Sequence, residues 1–223
     1  MSIKAALIDF DGTLADSMPF WLDLPRSSFR RAGIEPPADF DRRIRSVPMW
    51  ELARLLPPEY PELTADGPLE EQWCAAMTAN YRDRISLKPG AAELLKELRE
   101  MGLEIVILSA TRYSLLLPAL DHHGVAALAD RVYSEEEAGS KHSPDAYNFC
   151  ASRLGLPMDE MLLLDDAVRN ISAAAELGLA TAGVFDESMA AWQETIRRIA
   201  DVYMPDLMDR KALKNFIESR KKA

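Results

Sequence analysis

The fold of this chain is decided by residues 5–14, which read AALIDFDGTL. The run opens with four apolar residues, and such a short, continuously apolar stretch is typical of a strand buried on both faces of a parallel sheet. Two acids, Asp9 and Asp11, follow at once, and Gly12 comes directly after them. Because ligands of open α/β sheets bind outside the carboxyl ends of the strands, this pattern predicts that both carboxylates face a ligand crevice.

Similar apolar runs recur along the rest of the chain, and helical patterns separate them. The further predicted strands are Leu103–Leu108, Met161–Leu164 and Ala180–Val184. Lys88-Pro89-Gly90 is interpreted as the opening of one helix, and Ser143-Pro144-Asp145 as the N-cap and first turn of another, which Gly155 ends. Alternation of strands and helices with short joints predicts an α/β fold with a Rossmann-like, doubly wound parallel sheet.

One segment departs from this alternation. From about Ser17 to Leu87 the sequence has amphipathic helical patterns punctuated by prolines and no apolar strand run. We therefore predict an all-helical insert at residues 17–87, with residues 1–16 and 88–223 forming the α/β core.

Composition limits what such a protein can do. The 223 residues are 48% hydrophobic and carry a net charge of −10, which is typical of a globular protein and disfavours binding to nucleic acid or anionic membranes. No apolar stretch approaches the length of a membrane span and no leader pattern is visible, so we expect a cytoplasmic location. Three histidines and two cysteines without metal spacing argue against a zinc site and for reduced thiols.

The close pair Asp9 and Asp11 indicates chemistry. Two neighbouring carboxylates do not both ionise easily unless a cation intervenes, so a divalent metal beside Asp9 would keep that group anionic. Asp11, if protonated, could donate to a leaving oxygen and later accept a proton from water. Gly12 would let the backbone turn sharply enough to offer amides to a phosphate.

Asp9–Thr13 resembles the DxDGT first motif of the haloacid dehalogenase-like phosphohydrolases. Many members of that family have a Rossmann-like core and a helical cap, termed C1, inserted just after this motif. The predicted insert at residues 17–87 stands at that place. The chain is most similar to the branch that includes phosphoglycolate phosphatases and β-phosphoglucomutases.

Three further motifs of this family occur in the expected order. Ser109-Ala110-Thr111 follows the second apolar run, Lys141 precedes a helix start, and Asp165-Asp166 follow the third apolar run. The resemblance implies that Gly12, Ser109, Ala110 and Lys141 bind phosphate.

The resemblance also implies Mg²⁺ as the cofactor. Its direct ligands would be Asp9, the backbone carbonyl of Asp11, and Asp166, whereas Asp165 is expected to hold a metal-bound water. The family often has a further acid where this chain has Asn170, which leaves the ranking of Asp165 and Asp166 open.

These implications combine into one predicted function. We expect a magnesium-dependent phosphomonoester hydrolase that acts on a small phosphorylated metabolite, with Asp9 as the nucleophile that forms an aspartyl-phosphate and Asp11 as general acid and base. Asp11 disfavours dehalogenase and phosphonatase relatives, and the lack of membrane helices disfavours transporting ATPases. A β-phosphoglucomutase-like sugar phosphomutase is the alternative, although residues 1–121 contain no histidine for its cap helix. A non-catalytic phosphate-binding protein is a further alternative.

The predicted cap offers weaker signals. Phe20, Trp21, Arg45 and Trp50 are candidate substrate contacts, but packing inside the cap and a solvated helix face explain the same residues. The expected partner is a small phosphate ester, without nucleic acid or membrane, and the chain is expected to be a monomer or weak dimer. The natural substrate and the oligomeric state stay open.

Overall fold

The computed structural model describes residues 2–222, except for the side chains of Arg45, Ser46 and Lys222. Arg45, a predicted substrate contact, therefore lies outside the described side chains. The chain divides into two units, Met1–Asp16 with Ser86–Ala223 and, separately, Ser17–Ile85. Ser86 and Leu87, expected in the insert, belong to the first unit, where Leu87 bridges to Ala15.

The first unit is built on a six-stranded parallel sheet. Its strands are β1 (Ala5–Ile8), β2 (Glu104–Ser109), β3 (Arg131–Ser134), β4 (Met161–Asp165), β5 (Ala180–Val184) and β6 (Val202–Met204). Their spatial order is β3-β2-β1-β4-β5-β6, in which the direction of winding reverses between β1 and β4. The prediction of an α/β fold with a Rossmann-like sheet is confirmed, and the reversal point is where such folds bind ligands.

Helices fill most of the remaining described chain. They are α1 (Met18–Ala32), α2 (Phe40–Ser46), α3 (Met49–Glu59), α4 (Leu69–Asp83), α5 (Ala91–Glu100), α6 (Tyr113–His122), α7 (Glu135–Ala138), α8 (Pro144–Leu154), α9 (Val168–Glu176), α10 (Gln193–Ile199) and α11 (Lys211–Lys222), with short 3₁₀ segments at Pro61–Thr64, Met158–Glu160 and Glu187–Trp192. None of the described helices combines the length and apolar character that crossing a bilayer requires.

The central strands are buried on both faces, which explains their uninterrupted apolar sequences. On one face, Leu7, Val106 and Leu163 pack in a cluster with residues of α8 and α9. Helix α5 also packs against β2, and none of its described residues belongs to that cluster. The helices thus fix the strands, and the strand ends present whatever follows them in sequence to one common edge.

The helix starting at Pro144 forms as its sequence predicts. The Ser143 hydroxyl accepts a hydrogen bond from the Asp145 amide, Pro144 occupies the first turn, and Gly155 ends α8 in the left-handed conformation. This start matters for the site because it fixes the segment that carries Lys141.

The second unit is wholly helical within its described residues. Its interior is aromatic: the Phe29 ring packs edge-to-face on Phe40 and Tyr60, and the Trp73 indole donates to the Ser28 hydroxyl at 2.9 Å. Pro57 and Pro58 lie in the last turn of α3, not between helices as the proline pattern suggested, and the helix ends one residue later.

Two short strands were not predicted from the sequence. β3 (Arg131–Ser134) and β6 (Val202–Met204) are the edges of the sheet, and β3 begins with an exposed arginine. Edge strands lack the double-sided burial that makes the central strands recognisable.

Candidate active site

The register of the sheet brings the four motifs together. Ile8 pairs with Ile107 of β2 and with Leu164 of β4. Consequently Asp9 follows β1 at the level of Asp165, the last residue of β4, and its amide donates to the Leu164 carbonyl at 3.0 Å. Ser109 ends β2 at the same edge. Residues distant in sequence therefore converge because parallel strands expose their carboxyl ends on one side.

A buried ion-pair network lies at the centre of this edge. The Lys141 ammonium donates to Asp9 Oδ1 at 2.5 Å and to Asp165 Oδ2 at 2.9 Å, and all three side chains are almost fully excluded from solvent. Burying an unpaired charge would be costly, so each member depends on the others. The backbone of Lys141 is also held, because its amide donates to Glu135 and its carbonyl accepts from the Tyr147 hydroxyl.

The two acids at the end of β4, Asp165 and Asp166, differ in their surroundings. Both carboxylate oxygens of Asp165 are engaged by protein donors: the Asn170 amide contacts each at 2.9 Å, the Ala167 amide contacts Oδ1, and Lys141 contacts Oδ2. Asp166 has one hydrogen bond in the described contacts, from the Thr13 hydroxyl to Oδ1 at 3.1 Å. Asp166 thus retains more capacity to bind something other than protein.

The turn at Gly12 packs closely against the Asp166 carboxylate. Its φ is +85°, and a Cβ at this position would lie 2.8 Å from Asp166 Oδ2. Its amide, expected to face a phosphate, donates instead to the Ala15 carbonyl at 3.0 Å. Because this donor is engaged inside the turn, the Gly12 amide is not assigned to a phosphate.

The second motif lies beside Asp11. The Thr111 hydroxyl donates to Asp11 Oδ2 at 2.7 Å, and the Thr111 amide donates to Ser109 Oγ at 3.1 Å. The Ala110 amide has no acceptor among the described residues, and Ala110 is exposed. An exposed backbone donor next to a serine hydroxyl is suited to an anionic oxygen.

Lys88 was missed as a site residue. Its ammonium donates to the carbonyl oxygens of Gly12 and Phe185 and forms an ion pair with Asp186. In the sequence, Lys88 is notable only as the residue that precedes Pro89-Gly90 at the start of a predicted helix. No local pattern marks it, since its three acceptors come from two distant loops.

The pKa values of the acidic residues are raised because several carboxylates lie close together in a site that is excluded from solvent. Burial raises the pKa of Asp9 to about 7, with the charges of Asp165 and Asp11 acting in the same direction and Lys141 opposing them. Burial also raises the pKa of Asp166 well above its usual value, reinforced by Asp165 and Asp9.

Lys141 responds in the opposite sense. Burial alone lowers the pKa of its ammonium, but the charges and hydrogen bonds of Asp165 and Asp9 outweigh burial and hold that pKa well above its ordinary value. Lys141 therefore stays charged at neutral pH.

This cluster fits a divalent cation. Asp9, Asp165 and Asp166 each offer a carboxylate oxygen, and the three oxygens lie within 4.8 Å of one another. Only oxygen donors are present in the group, which suits hard cations such as Mg²⁺ and Ca²⁺. A cation would also offset the negative charge that raises the pKa values of Asp9 and Asp166.

Comparison with known proteins bears on the same residues. The family model described as haloacid dehalogenase-like hydrolase matches residues 3–178 and so includes all four motifs. This chain belongs to the haloacid dehalogenase-like hydrolases. The family prediction is confirmed, and enzymes of this family that act as phosphatases generally use a divalent metal.

Individual relatives agree over most of the chain. A phosphoglycolate phosphatase of Chromobacterium violaceum is 28% identical over 219 residues, covering 92% of this chain and 96% of its own. An N-acetylmuramic acid 6-phosphate phosphatase of Pseudomonas aeruginosa is 25% identical, covering 82% of each. The solved structure of a family IA, variant 3 hydrolase from Entamoeba histolytica shares the fold, with a TM-score of 0.76, 17% identity and coverage of 97% and 100%.

The candidate substrate contacts Phe20, Trp21 and Trp50 make contacts with other residues of the helical unit. The Trp21 indole is buried, donates to the Tyr81 hydroxyl at 3.1 Å and packs edge-to-face on Trp50. Phe20 is half-buried and lies under the Arg84 guanidinium, 4.8 Å from the ring centre. Their assignment to a substrate stays a prediction.

Proposed function

We propose that this hydrolase is a magnesium-dependent phosphatase of small phosphorylated metabolites that works through an aspartyl-phosphate on Asp9. One observation carries the proposal. The buried carboxylate of Asp9 forms an ion pair with Lys141 at the reversal point of the sheet, close to the carboxylates of Asp165 and Asp166. Asp11, nearby in sequence, accepts a hydrogen bond from a threonine hydroxyl. Relatives named as phosphatases that cover most of the chain support the same reaction class.

In the first step, a carboxylate oxygen of Asp9 forms a bond to phosphorus as the ester oxygen leaves with the bonding electrons. Asp11 donates its proton to that departing oxygen, which avoids releasing a free alkoxide. The hydrogen bond from Thr111 fixes the direction of the Asp11 carboxyl. The products are an alcohol and an acyl phosphate on Asp9.

In the second step, water attacks the phosphorus of the acyl phosphate and the bond to Asp9 breaks. Asp11, deprotonated by the first step, takes a proton from that water and is restored. Inorganic phosphate leaves, and Asp9 is regenerated. Both steps use the same acid–base residue, so its fixed orientation matters twice.

Charge on the transferred phosphoryl group is balanced by Lys141 and by the second motif. Two of the three ammonium protons of Lys141 are used by Asp9 and Asp165 in the described contacts, and the third is assigned to a phosphoryl oxygen. The Ser109 hydroxyl and the Ala110 amide are assigned to another oxygen. Such preorganised donors supply much of the catalysis in phosphoryl transfer.

The metal site is assigned to Asp9, Asp166 and the backbone carbonyl of Asp11. Asp165 is assigned an indirect role, since its oxygens are already engaged by Lys141 and Asn170. A bound Mg²⁺ would neutralise phosphate charge and keep Asp9 anionic.

The substrate class follows from the proposed roles of the two units. We assign Ser17–Ile85 as the cap that reads the organic part of the substrate, and the remainder as the catalytic core. The mutase alternative has less support, because residues 17–85 contain no histidine to shuttle a proton at the sugar hydroxyls. Small phosphorylated acids and sugar phosphates are the candidates that the named relatives favour.

The test is phosphate release by the purified protein from a panel of phosphate esters, with Mg²⁺ and with a chelator. We expect release that depends on Mg²⁺, and loss of turnover to background in Asp9→Asn. Asp16→Asn is the matched control, because Asp16 is an exposed acid on the same loop.

An acid-quenched reaction should also yield a phosphorylated peptide that contains Asp9. Turnover by folded Asp9→Asn would refute the nucleophile assignment. Isomerisation of a sugar phosphate without phosphate release would revive the mutase.

A further inference from the structure

Lys88 is a second largely buried cation of the active-site edge. Its side chain is 16% exposed, and its partner Asp186 is 5% exposed. The three ammonium protons have three acceptors: the Gly12 carbonyl, the Phe185 carbonyl at 2.8 Å and Asp186 Oδ2 at 2.9 Å. Because every donor is used, Lys88 is not equipped to bind a substrate phosphate directly.

The acceptors belong to two loops that are not neighbours in the sheet. Gly12 follows β1, and Phe185 and Asp186 follow β5, whereas β4 lies between those strands. The side chain of Lys88 therefore links the loops on either side of the strand that delivers Asp166. Its backbone reinforces the link, because the Lys88 amide donates to the Leu14 carbonyl at 2.7 Å.

Asp186 is itself held in place. Its Oδ1 accepts from the amide of Ser188 at 2.9 Å and from the hydroxyl of the same residue at 2.6 Å. Its Oδ2 faces Lys88. Ser188 thus holds one oxygen of the carboxylate and the ion pair with Lys88 holds the other, so the position of the Lys88 ammonium is fixed by a carboxylate that is itself fixed.

What Lys88 holds is the turn that supports the proposed metal ligands. Gly12 lies between Asp11, whose carbonyl is a proposed ligand, and Thr13, whose hydroxyl donates to Asp166. The closest approach of Gly12 to the Asp166 carboxylate leaves no room for a Cβ. A small rotation of the Gly12 peptide would therefore disturb both ligands at once.

We propose that Lys88 and Asp186 form a clamp that positions the Asp11–Thr13 turn, and through it Asp166 and the Asp11 carbonyl, for divalent metal binding. The inference rests on the proposed function and assigns Lys88 a positioning role, not contact with substrate. Residues that orient metal ligands from behind commonly change metal affinity or activity by about 10- to 100-fold when removed.

The test compares Lys88→Met, Asp186→Asn and the double variant with Lys96→Met, an exposed lysine on α5 that serves as the matched control. Mn²⁺ binding is measured by calorimetry without substrate, alongside kcat, KM and thermal unfolding. For Lys88→Met we expect Mn²⁺ affinity and kcat to fall by about 10- to 100-fold, with KM changed by less than about threefold. Asp186→Asn should weaken Mn²⁺ binding at least about threefold, and the double variant should bind no more weakly than Lys88→Met, since the two residues act as a unit.

A purely structural lysine would lower thermal stability and leave the metal affinity of the folded protein unchanged. Mn²⁺ affinity within about twofold of wild type in folded Lys88→Met would therefore overturn the clamp. If Lys88→Met does not fold, unchanged Mn²⁺ affinity in Asp186→Asn would overturn it instead.

The outcome is separable from that of the proposed function. Wild-type protein that binds Mn²⁺ and releases phosphate, together with an unaffected Lys88→Met, removes only the clamp. Wild-type protein that neither binds Mn²⁺ nor releases phosphate removes both.

Discussion

Replacing Gly12 by alanine tests how tightly the turn is fitted to Asp166. A Cβ at Gly12 would lie 2.8 Å from Oδ2 and 2.9 Å from Oδ1 of that carboxylate. Ordinary contact begins near 3.4 Å, so the carboxylate must move by about 0.6 Å or the turn must open by a similar amount. Catalytic groups tolerate displacements of only about 0.5 Å, and about 1 Å can cost about 100-fold in rate.

Two effects add in Gly12→Ala. A non-glycine residue at positive φ costs about 1–2 kcal/mol, and relieving a tight contact costs about 1–3 kcal/mol. Together they amount to about 2–5 kcal/mol, which for a chain of this size corresponds to a fall in melting temperature of roughly 4–20 °C. We expect kcat to fall by about 10- to 100-fold and the Mg²⁺ concentration needed for half-maximal activity to rise, because Asp166 no longer occupies its position.

Gly178→Ala separates the two effects. Gly178 has the same φ of +85°, but a Cβ there meets nothing within 4 Å. It should show only the backbone cost, a fall in melting temperature of roughly 2–8 °C, with kcat unchanged. Steady-state kinetics and thermal unfolding of both variants decide the matter. If Gly12→Ala keeps wild-type kcat, or its kcat falls no further than that of Gly178→Ala, the close fit between Gly12 and Asp166 does not contribute to catalysis.

Two further predictions concern the acids. Asp166→Ala should raise the Mg²⁺ concentration needed for half-maximal activity more than Asp165→Ala does, since Asp165 is engaged by Lys141 and Asn170; equal shifts in a metal titration would contradict this ranking. In metal-free protein, the raised pKa of Asp9 means that this group binds its proton more tightly in the folded state, so its contribution to the free energy of unfolding should be complete below about pH 4 and be lost as the pH rises towards 7. Chemical unfolding of wild type and Asp9→Asn across that range isolates this contribution, because Asn does not titrate: the stability of wild type relative to Asp9→Asn should fall as the pH rises, and a relative stability that rises over the same interval would disprove it.

Much of the fold was predictable because buried parallel strands have a distinctive sequence. β4 and β5 begin where their apolar runs begin, and α8 starts and ends at its predicted cap residues. The edge strands β3 and β6 were not predictable in the same way, because each pairs with one neighbour only and is too short to impose a pattern.

The candidate site divides along a similar line. Asp9, Asp165 and Asp166 were found because acids directly after buried strands stand out in sequence, and the structure brings their oxygens together. Thr111, whose hydroxyl donates to Asp11, is the last residue of the second motif, but nothing in the local sequence indicates that partner. Asp186 and Lys88 carry no signal, since an isolated acid or lysine is usually solvated.

The family, the parallel sheet and the chain positions of the reactive acids followed from the amino-acid sequence, because burial periodicity and motif spacing are local properties. Tertiary packing was needed to establish which lysine binds which carboxylate, and that several protein donors contact Asp165 whereas, among the described residues, one contacts Asp166. Those contacts depend on strand register and on loops up to 153 residues apart, and hydrogen-bond geometry at that separation is set by packing, not by neighbours in the chain.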